Sequence, residues 1–236
     1  MRSSRWHAHG NSYLVTDDGP LTADDVRREV GDADGVLEVL DAGVDSVDIA
    51  IWNPDGSRAE MSGNGTRIAA RWLGERTDAQ VVTVRVGSRS VRATMLDSRL
   101  VEQEIGSVVV GRLEEVAGIR LVTVDVGNPH AVVDGEPAEL PRLGPLLEVH
   151  ERFPNRTNVQ VARRAGDLIE ARVWERGAGE TASSGSSAVA VAAAFTTVFG
   201  PPAGTAALTV RFPGGDLVVR FDEGRALLTG PAERID

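Results

Sequence analysis

Residues 175–193 read ERGAGETASSGSSAVAVAA, which is a polar run, then a Gly/Ser turn, then a helix of small apolar residues. Residues 53–71, NPDGSRAEMSGNGTRIAAR, repeat this order and align Ser62 with Ser184. Two more matches flank the pair in the same order: HGNSYLVTD with VGNPHAVVD, and VTVRVGSRSVR with LTVRFPGGDLV. Three ordered matches indicate an internal duplication, and this duplication decides the fold.

Each half carries the same predicted elements. SYLVTD and HAVVD alternate like strands, and TADDVRREV and GPLLEVHERF have the pattern of short amphipathic helices. Thr22 with Asp25 is typical of a helix start, and GSRS and PGGD fit hairpin turns. RIAARWL and AVAVAAAF are apolar on nearly every side, so we expect the sheet of each half to wrap its own helix.

The sequence therefore predicts an α/β protein of two homologous domains. We place the N-terminal half at residues 1–113 and the C-terminal half at residues 114–236, and leave open a return of the last strand to the N-terminal half. We expect the two matched glycine loops to face each other across an interdomain cleft that holds the active site.

Composition excludes several classes of function. A net charge of −10 disfavours nucleic acid or an anionic membrane as a partner, and no apolar run is long enough to span a bilayer. The chain has no Cys, which excludes disulfides, thiolate nucleophiles and Cys-ligated metals. It also has no Lys, which excludes a Schiff-base lysine and a P-loop lysine. We expect a cytoplasmic protein without nucleic-acid or membrane partners.

The two glycine loops are candidate anion sites. Gly63, Asn64 and Gly65 open one apolar helix, and Gly185 and Ser186 open the other. A helix N-terminus presents unpaired N–H groups and the positive end of the helix dipole, which favour a carboxylate or a phosphate. An ordinary Ser/Gly cap explains either loop alone, but the repetition favours a shared binding site.

Other polar residues near these loops fit an amino acid ligand. Glu175 can take an ammonium group and Arg176 a carboxylate, although the alternative is a surface ion pair. Asn11 and Asn128 occupy equivalent positions in the repeat, which favours a shared site over ordinary turn residues. His130 could act as a base, but we expect a structural role for it.

The chain resembles the diaminopimelate epimerase family. The motifs that carry the resemblance run in family order along the whole chain: HAHGNSYLVTD, DADGVLEV, NPDGSRAEMSGNGTRIAARW, VGNPHAVV, HERFPNRTNVQVA, VWERGAGETASSGSSA and LLTGPAE. The resemblance implies two pseudo-symmetric domains of duplicated topology, each a curved, mostly antiparallel sheet around a central helix, closing over one substrate. It also implies a cytoplasmic isomerase that inverts an amino acid α-carbon by two-base proton transfer, in the biosynthesis of lysine and peptidoglycan precursors, with no cofactor and no metal.

The resemblance also implies a set of site residues. The substrate would be bound by Asn11, Asn53, Gly63, Asn64, Asn128, Asn158, Glu175, Arg176, Gly185 and Ser186. Glu175 and Arg176 would hold the distal amino acid end of the substrate, and the four residues at the two helix starts would cradle the reacting carboxylate. The two catalytic cysteines of the family, one a thiolate base and the other a thiol acid, correspond here to Ser62 and Ser184.

Serine at both positions changes the chemistry. A free thiol has a pKa of about 8.5, whereas a serine needs an adjacent base. The pKa of a serine hydroxyl lies several units above that of a thiol, and a helix dipole contributes only about 1 kcal/mol towards closing this gap. We favour an epimerase whose serines are activated by neighbouring groups or stand in for natural cysteines. The alternatives are a related isomerase or dehydratase that uses Ser62 and Ser184 on a different carboxylic acid, or a non-catalytic amino-acid-binding homologue. The exact substrate and a homodimer are left open.

Overall fold

A computed structural model describes residues 2–200 and 207–235 of the chain. The chain forms two compact units, of which unit 1 is Met1–Glu104 with Thr229–Asp236 and unit 2 is Ile105–Leu228. The boundary that we placed between residues 113 and 114 stays a prediction. It divides the repeat in the sequence, whereas the two units are defined by how compactly the chain packs in space.

Unit 1 starts with a hairpin and a short helix, followed by a strand pair, a long helix and a second hairpin. In chain order these elements are β1 (Ser4–Ala8), β2 (Asn11–Thr16), α1 (Ala23–Glu29), β3 (Gly35–Ala42), β4 (Ser46–Trp52), β5 (Arg58–Ala59), α2 (Gly63–Thr77), β6 (Val81–Val86), β7 (Arg89–Met95) and β8 (Leu100–Ser107). The chain passes into unit 2 within β8. Strands β2 and β3 pair in parallel, as do β4 and β6, whereas β1 and β2, β3 and β4, and β6 and β7 are antiparallel.

Unit 2 repeats this order after one additional strand. Its elements are β9 (Val109–Val116), β10 (Ile119–Asp125), β11 (Pro129–Asp134), a 3-10 turn (Pro137–Glu139), α3 (Leu140–Glu148), β12 (Asn158–Ala165), β13 (Leu168–Glu175), β14 (Gly179–Thr181), α4 (Gly185–Thr197), β15 (Ala207–Phe212), β16 (Gly215–Asp222) and β17 (Arg225–Pro231). The chain returns to unit 1 within β17, and β18 (Glu233–Arg234) pairs with β1.

The strand pairings show the duplication directly. The parallel pairs β11–β12 and β13–β15 of unit 2 correspond to β2–β3 and β4–β6 of unit 1, and the antiparallel pairs β10–β11, β12–β13 and β15–β16 correspond to β1–β2, β3–β4 and β6–β7. Because parallel strands must be joined by a crossover connection, the chain between the two strands of each parallel pair contains one α-helix. The predicted α/β architecture of duplicated, mostly antiparallel units is confirmed.

Helices α2 and α4 form the core of their own units. Every residue from Ser187 to Phe195 in α4 is buried, and these residues pack against strand residues of unit 2 such as Val122 and Val210. Helix α2 buries Ile68 and Leu73 against the strands of unit 1. Burial of each large aliphatic side chain contributes about 1.5–3 kcal/mol. The prediction that each sheet wraps its own helix is therefore confirmed.

The predicted helix starts and turns agree with the structure, with one shift. Thr22 and Asp25 form a capping box at α1, and GSRS and PGGD lie at the two hairpin turns. Helix α3 begins before the predicted segment, because Pro141 occupies its first turn, where proline favours a helix start. It also ends before that segment does, at Glu148. None of the helices in the described part of the chain is long and apolar enough to cross a membrane.

Candidate active site

Ser62 is the N-cap of α2, and two groups hold its hydroxyl. Its backbone is extended (φ −144°, ψ 120°), and its Oγ accepts a hydrogen bond from the Gly65 N–H at 3.0 Å. The phenol oxygen of Tyr13 on β2 lies 3.0 Å from the same Oγ. A side chain at position 65 would crowd this hydroxyl, since its Cβ would lie 3.3 Å from Ser62 Oγ. The sequence pointed to Ser62, but not to Tyr13 as its neighbour.

Asn11 and Asn64 contact each other in unit 1, while the shared site that the sequence predicted for Asn11 and Asn128 stays a prediction. Asn64 Nδ2 donates to Asn11 Oδ1 at 2.5 Å, while the guanidinium of Arg67 donates to Asn64 Oδ1. Arg67 is completely buried, and Pro231 supplies it with a carbonyl acceptor at 3.3 Å. Burial lowers the pKa of Arg67 to about 10, so this side chain remains charged at neutral pH. A positive charge therefore lies inside unit 1, within the second turn of α2.

Asn53 lies in the turn after β4. Its side chain donates to Ser57 Oγ at 2.9 Å, and its backbone N–H bonds the Ser57 carbonyl at 2.9 Å. Gly63 lies at the start of α2, where its carbonyl accepts a bond from the Thr66 hydroxyl at 3.1 Å. The roles of Asn53 and Gly63 in substrate binding stay predictions.

Ser184 has the same backbone conformation as Ser62 but a different neighbour. It is the N-cap of α4 (φ −147°, ψ 127°), yet within the described part of the chain its hydroxyl caps no N–H group. The hydroxyl instead forms a hydrogen bond with the carboxyl group of Glu175, which also accepts the Thr181 hydroxyl at 2.6 Å. Desolvation raises the pKa of Glu175 above its ordinary value, and the hydrogen bonds from Thr181 and Ser184 offset this only in part.

His130 is enclosed in unit 2 between the side-chain amides of Asn128 and Gln160. Its Nε2 lies 2.9 Å from Asn128 Oδ1, and its Nδ1 lies 3.0 Å from the Gln160 amide nitrogen. The ring is 1 % exposed, and desolvation lowers the pKa of His130 to about 3. A neutral, fully enclosed imidazole bonded at both nitrogens orients Asn128, and the structural role that we expected for His130 stays a prediction.

Asn158 joins the ends of three strands in unit 2. Its Nδ2 donates to the Pro129 carbonyl at 2.9 Å, and its Oδ1 accepts the backbone N–H of Arg176 at 3.0 Å. The Arg176 side chain is exposed and donates to the Asn155 carbonyl at 3.3 Å. Gly185 and Ser186 open α4, where the first N–H groups have no intrahelical partner. All predicted residues of this half therefore lie near the start of α4 or at neighbouring strand ends.

Two buried carboxylates near the site were missed by the sequence reasoning. Trp52 and Trp174 immediately precede the two aligned stretches, and the indole N–H of each donates to a buried glutamate at 2.8 Å. The acceptor of Trp52 is Glu38 on β3, and that of Trp174 is Glu148 at the end of α3. Because these glutamates come from different elements, an alignment of the two halves cannot pair them.

Among the residues that the structure describes, no cluster of three or more His, Asp or Glu side chains could hold a metal ion. The candidate residues of each unit thus supply hydroxyls, amides, a helix N-terminus and a small number of charged groups. Such groups can bind a carboxylate and move a proton.

Known proteins resemble this chain over nearly its whole length. The family model for diaminopimelate epimerase matches residues 122–235. The diaminopimelate epimerases of Pelotomaculum thermopropionicum and Desulforudis audaxviator are 34% and 35% identical to the chain, and each alignment covers 100% of the chain and 97% of the relative.

Solved structures share the fold at lower identity. A predicted epimerase from Pseudomonas aeruginosa superposes with a TM-score of 0.76 at 17% identity, covering 100% of this chain and 97% of the other. A probable proline racemase from Agrobacterium radiobacter has a TM-score of 0.70 at 17% identity, covering 99% and 90%.

Proposed function

Because the chain belongs to the diaminopimelate epimerase family, we propose that it is an epimerase that inverts the α-carbon of diaminopimelate by two-base proton transfer. In this proposal Ser62 and Ser184 exchange protons with the α-carbon, one on each of its faces. The reaction needs no cofactor and serves the biosynthesis of lysine and peptidoglycan precursors.

The observation that carries the proposal is the hydrogen bond between Ser184 and Glu175. A serine hydroxyl becomes a useful base only when an adjacent group takes its proton. As the α-carbon loses its hydrogen to Ser184 Oγ, the hydroxyl proton of Ser184 passes to the Glu175 carboxylate. The raised pKa of Glu175 makes this carboxylate a stronger base than an ordinary surface carboxylate.

The helix starts supply the second requirement, which is a site for the negative charge that develops on the substrate. Proton removal moves charge from the α-carbon onto the substrate carboxylate. In the proposal the N–H groups of Gly63, Asn64, Gly185 and Ser186 receive it, which is supported by their position at helix starts, since N–H groups there bind anions. The buried guanidinium of Arg67 adds positive charge in unit 1.

The remaining polar groups would orient the rest of the substrate. We propose that the exposed guanidinium of Arg176 binds the distal carboxylate of the substrate. The side-chain amides of Asn11, Asn53, Asn128 and Asn158 would make the remaining polar contacts with the substrate. The sequence placed Glu175 at the distal ammonium group. Its bond to Ser184 instead favours a role as the base that activates this serine.

The experiment follows α-deuterium by NMR when the protein is incubated in deuterated water with LL- and meso-diaminopimelate. We expect deuterium at the α-carbon together with interconversion of the two isomers. Glu175→Gln should slow both by about 10²-fold or more, the usual contribution of a general base. Glu180→Gln is the matched control, because Glu180 is exposed and pairs with Arg172 at 2.6 Å.

Other outcomes would overturn the proposal in different ways. Exchange that occurs only with another carboxylic acid would identify a related isomerase or dehydratase. No exchange in the native chain, with exchange appearing in the double variant Ser62→Cys with Ser184→Cys, would identify an amino-acid-binding homologue on the same scaffold. Equal rates in Glu175→Gln and the native chain would remove Glu175 from the mechanism.

A further inference from the structure

Tyr13 is the only tyrosine in the chain, and its hydroxyl lies against a proposed proton-transfer residue. The phenol oxygen is 3.0 Å from Ser62 Oγ, and the side chain is almost completely buried in the core of unit 1. Gly35 lies opposite Tyr13 on β3 and makes room for the ring, since a Cβ at Gly35 would lie 2.8 Å from a Tyr13 ring carbon. The position of the phenol is therefore set by the packing around it.

The hydrogen bond between Tyr13 and Ser62 can run in either direction, and one of the two directions leaves the Ser62 proton available. Ser62 Oγ accepts the Gly65 N–H at 3.0 Å and can accept the Tyr13 hydroxyl at 3.0 Å. A hydroxyl oxygen that accepts two hydrogen bonds can still donate its own proton to a third group. Ser62 can thus hand a proton to a ligand while it receives one from the phenol.

The two serines have chemically different partners. Ser184 is bonded to a carboxyl group, whereas Ser62 is bonded to a phenol. A phenol is a much weaker acid than a carboxylic acid, with free pKa values of about 10 and about 4.3, so the two partners differ in how readily each gives up a proton. A two-base epimerase needs one proton donor and one proton acceptor, and this difference favours the phenol as the donor.

We propose that Tyr13 is the group that stores the proton of unit 1 and exchanges it with the substrate through Ser62. This inference rests on the proposed epimerase function. When the substrate carbanion is protonated on this side, the new C–H bond takes the hydroxyl proton of Ser62, the Tyr13 O–H bond breaks, and its proton moves to Ser62 Oγ. The negative charge ends on the phenolate. In the reverse direction the phenolate takes the proton of Ser62 as Ser62 takes the α-hydrogen.

The relay removes the main chemical objection to serine at this position. A serine alkoxide has no stable form near neutral pH, but in the relay the charge rests on a phenolate, which is a far weaker base. The buried guanidinium of Arg67 on α2 and the N-terminus of that helix add positive potential in the same unit, which favours an anion there.

The test uses the single tyrosine. Growth of cells on a fluorinated tyrosine places fluorine at position 13 alone and lowers the phenol pKa without removing the hydroxyl. We expect the alkaline limb of the pH profile for α-deuterium exchange to move to lower pH. The size of this shift should equal the amount by which fluorination lowers the phenol pKa of free tyrosine. Tyr13→Phe protein from the same medium carries no fluorine and is the control for effects of the medium.

Tyr13→Phe provides the second measurement. Loss of a general acid–base group should slow exchange by about 10²-fold or more for the isomer whose α-hydrogen faces Ser62, and by less for the other isomer. Thr77→Val is the matched control, because it removes a hydroxyl bonded to the Leu73 carbonyl at 3.0 Å at the far end of α2. A purely structural role would slow both isomers equally and leave the alkaline limb unmoved by fluorine.

The outcomes separate this inference from the proposed function. Exchange in the native chain with an unmoved alkaline limb, or with Tyr13→Phe as fast as the native chain for both isomers, overturns the role of Tyr13 alone. No exchange of either isomer by the native chain overturns the proposed function and the relay with it.

Discussion

Glu148→Gln tests how the turn between β13 and β14 is held in place. Glu148 is 5 % exposed, and its carboxylate accepts the Trp174 indole N–H at 2.8 Å and the Gly177 N–H at 2.7 Å. It also pairs with the Arg156 guanidinium at 2.6 Å. Glutamine has the same shape but only one carboxamide oxygen, so its NH2 group must face one of the two N–H donors.

The cost follows from these contacts. Losing a hydrogen bond to a charged group costs about 1.5–3 kcal/mol, and leaving a buried N–H group unpaired costs about 1–3 kcal/mol. The introduced glutamine can rotate its amide group into the orientation that costs less free energy. We therefore expect the free energy of unfolding at neutral pH to fall by about 3 kcal/mol.

The pH dependence of this loss has a definite sign. Desolvation raises the pKa of Glu148, but the hydrogen bonds from Trp174 and Gly177 and the charge of Arg156 outweigh it, so the pKa lies below its ordinary value. A carboxyl group with a depressed folded-state pKa stabilises the fold above its unfolded pKa of about 4.3, and this stabilisation is lost as the pH falls through the folded value. The difference between the native chain and Glu148→Gln should therefore shrink on acidification.

Urea unfolding followed by circular dichroism and tryptophan fluorescence measures both effects. Glu139→Gln is the matched control, because Glu139 is partly exposed and pairs with Arg142 at the surface, a contact worth about 0.5 kcal/mol. A loss in Glu148→Gln no larger than in the control at neutral pH would refute the reasoning. A loss that stays constant down to acid pH would refute the assigned charge state.

Three other predictions concern the site itself. Ser62→Ala should lower the free energy of unfolding by about 1 kcal/mol because it removes the cap on Gly65, and Ser184→Ala, which removes no cap, should cost less; urea midpoints of the two variants check this. The folded-state pKa of His130, about 3, lies below the unfolded value of about 6.5, so the free energy of unfolding should fall by on the order of 5 kcal/mol as the pH drops through this window. Urea midpoints of His130→Gln should lack that slope. The raised pKa of Glu175 places the acid limb of the exchange rate above the ordinary range of a carboxyl group, and pH profiles of the native chain and Glu175→Gln should differ on that limb.

The sequence alone was sufficient for the architecture and the family. The repeat around Ser62 and Ser184 predicted the duplicated units, and the strand pairings confirm it. The full-length relatives confirm the family that the motifs indicated. These features are readable because hydrophobic periodicity, turn residues and motif order are local properties of a chain.

The tertiary structure alone decided what surrounds each serine. Both serines are helix N-caps with nearly the same backbone angles, as their equivalent sequence positions suggest. Yet Ser62 contacts the phenol of Tyr13, 49 residues earlier in the chain, while Ser184 contacts the carboxyl group of Glu175. Hydrogen bonding and desolvation depend on which side chains folding brings within about 3 Å, and two homologous segments do not share those neighbours. The duplication therefore determines that helices α2 and α4 each begin after a serine, and the folded surroundings determine which groups contact the two hydroxyls.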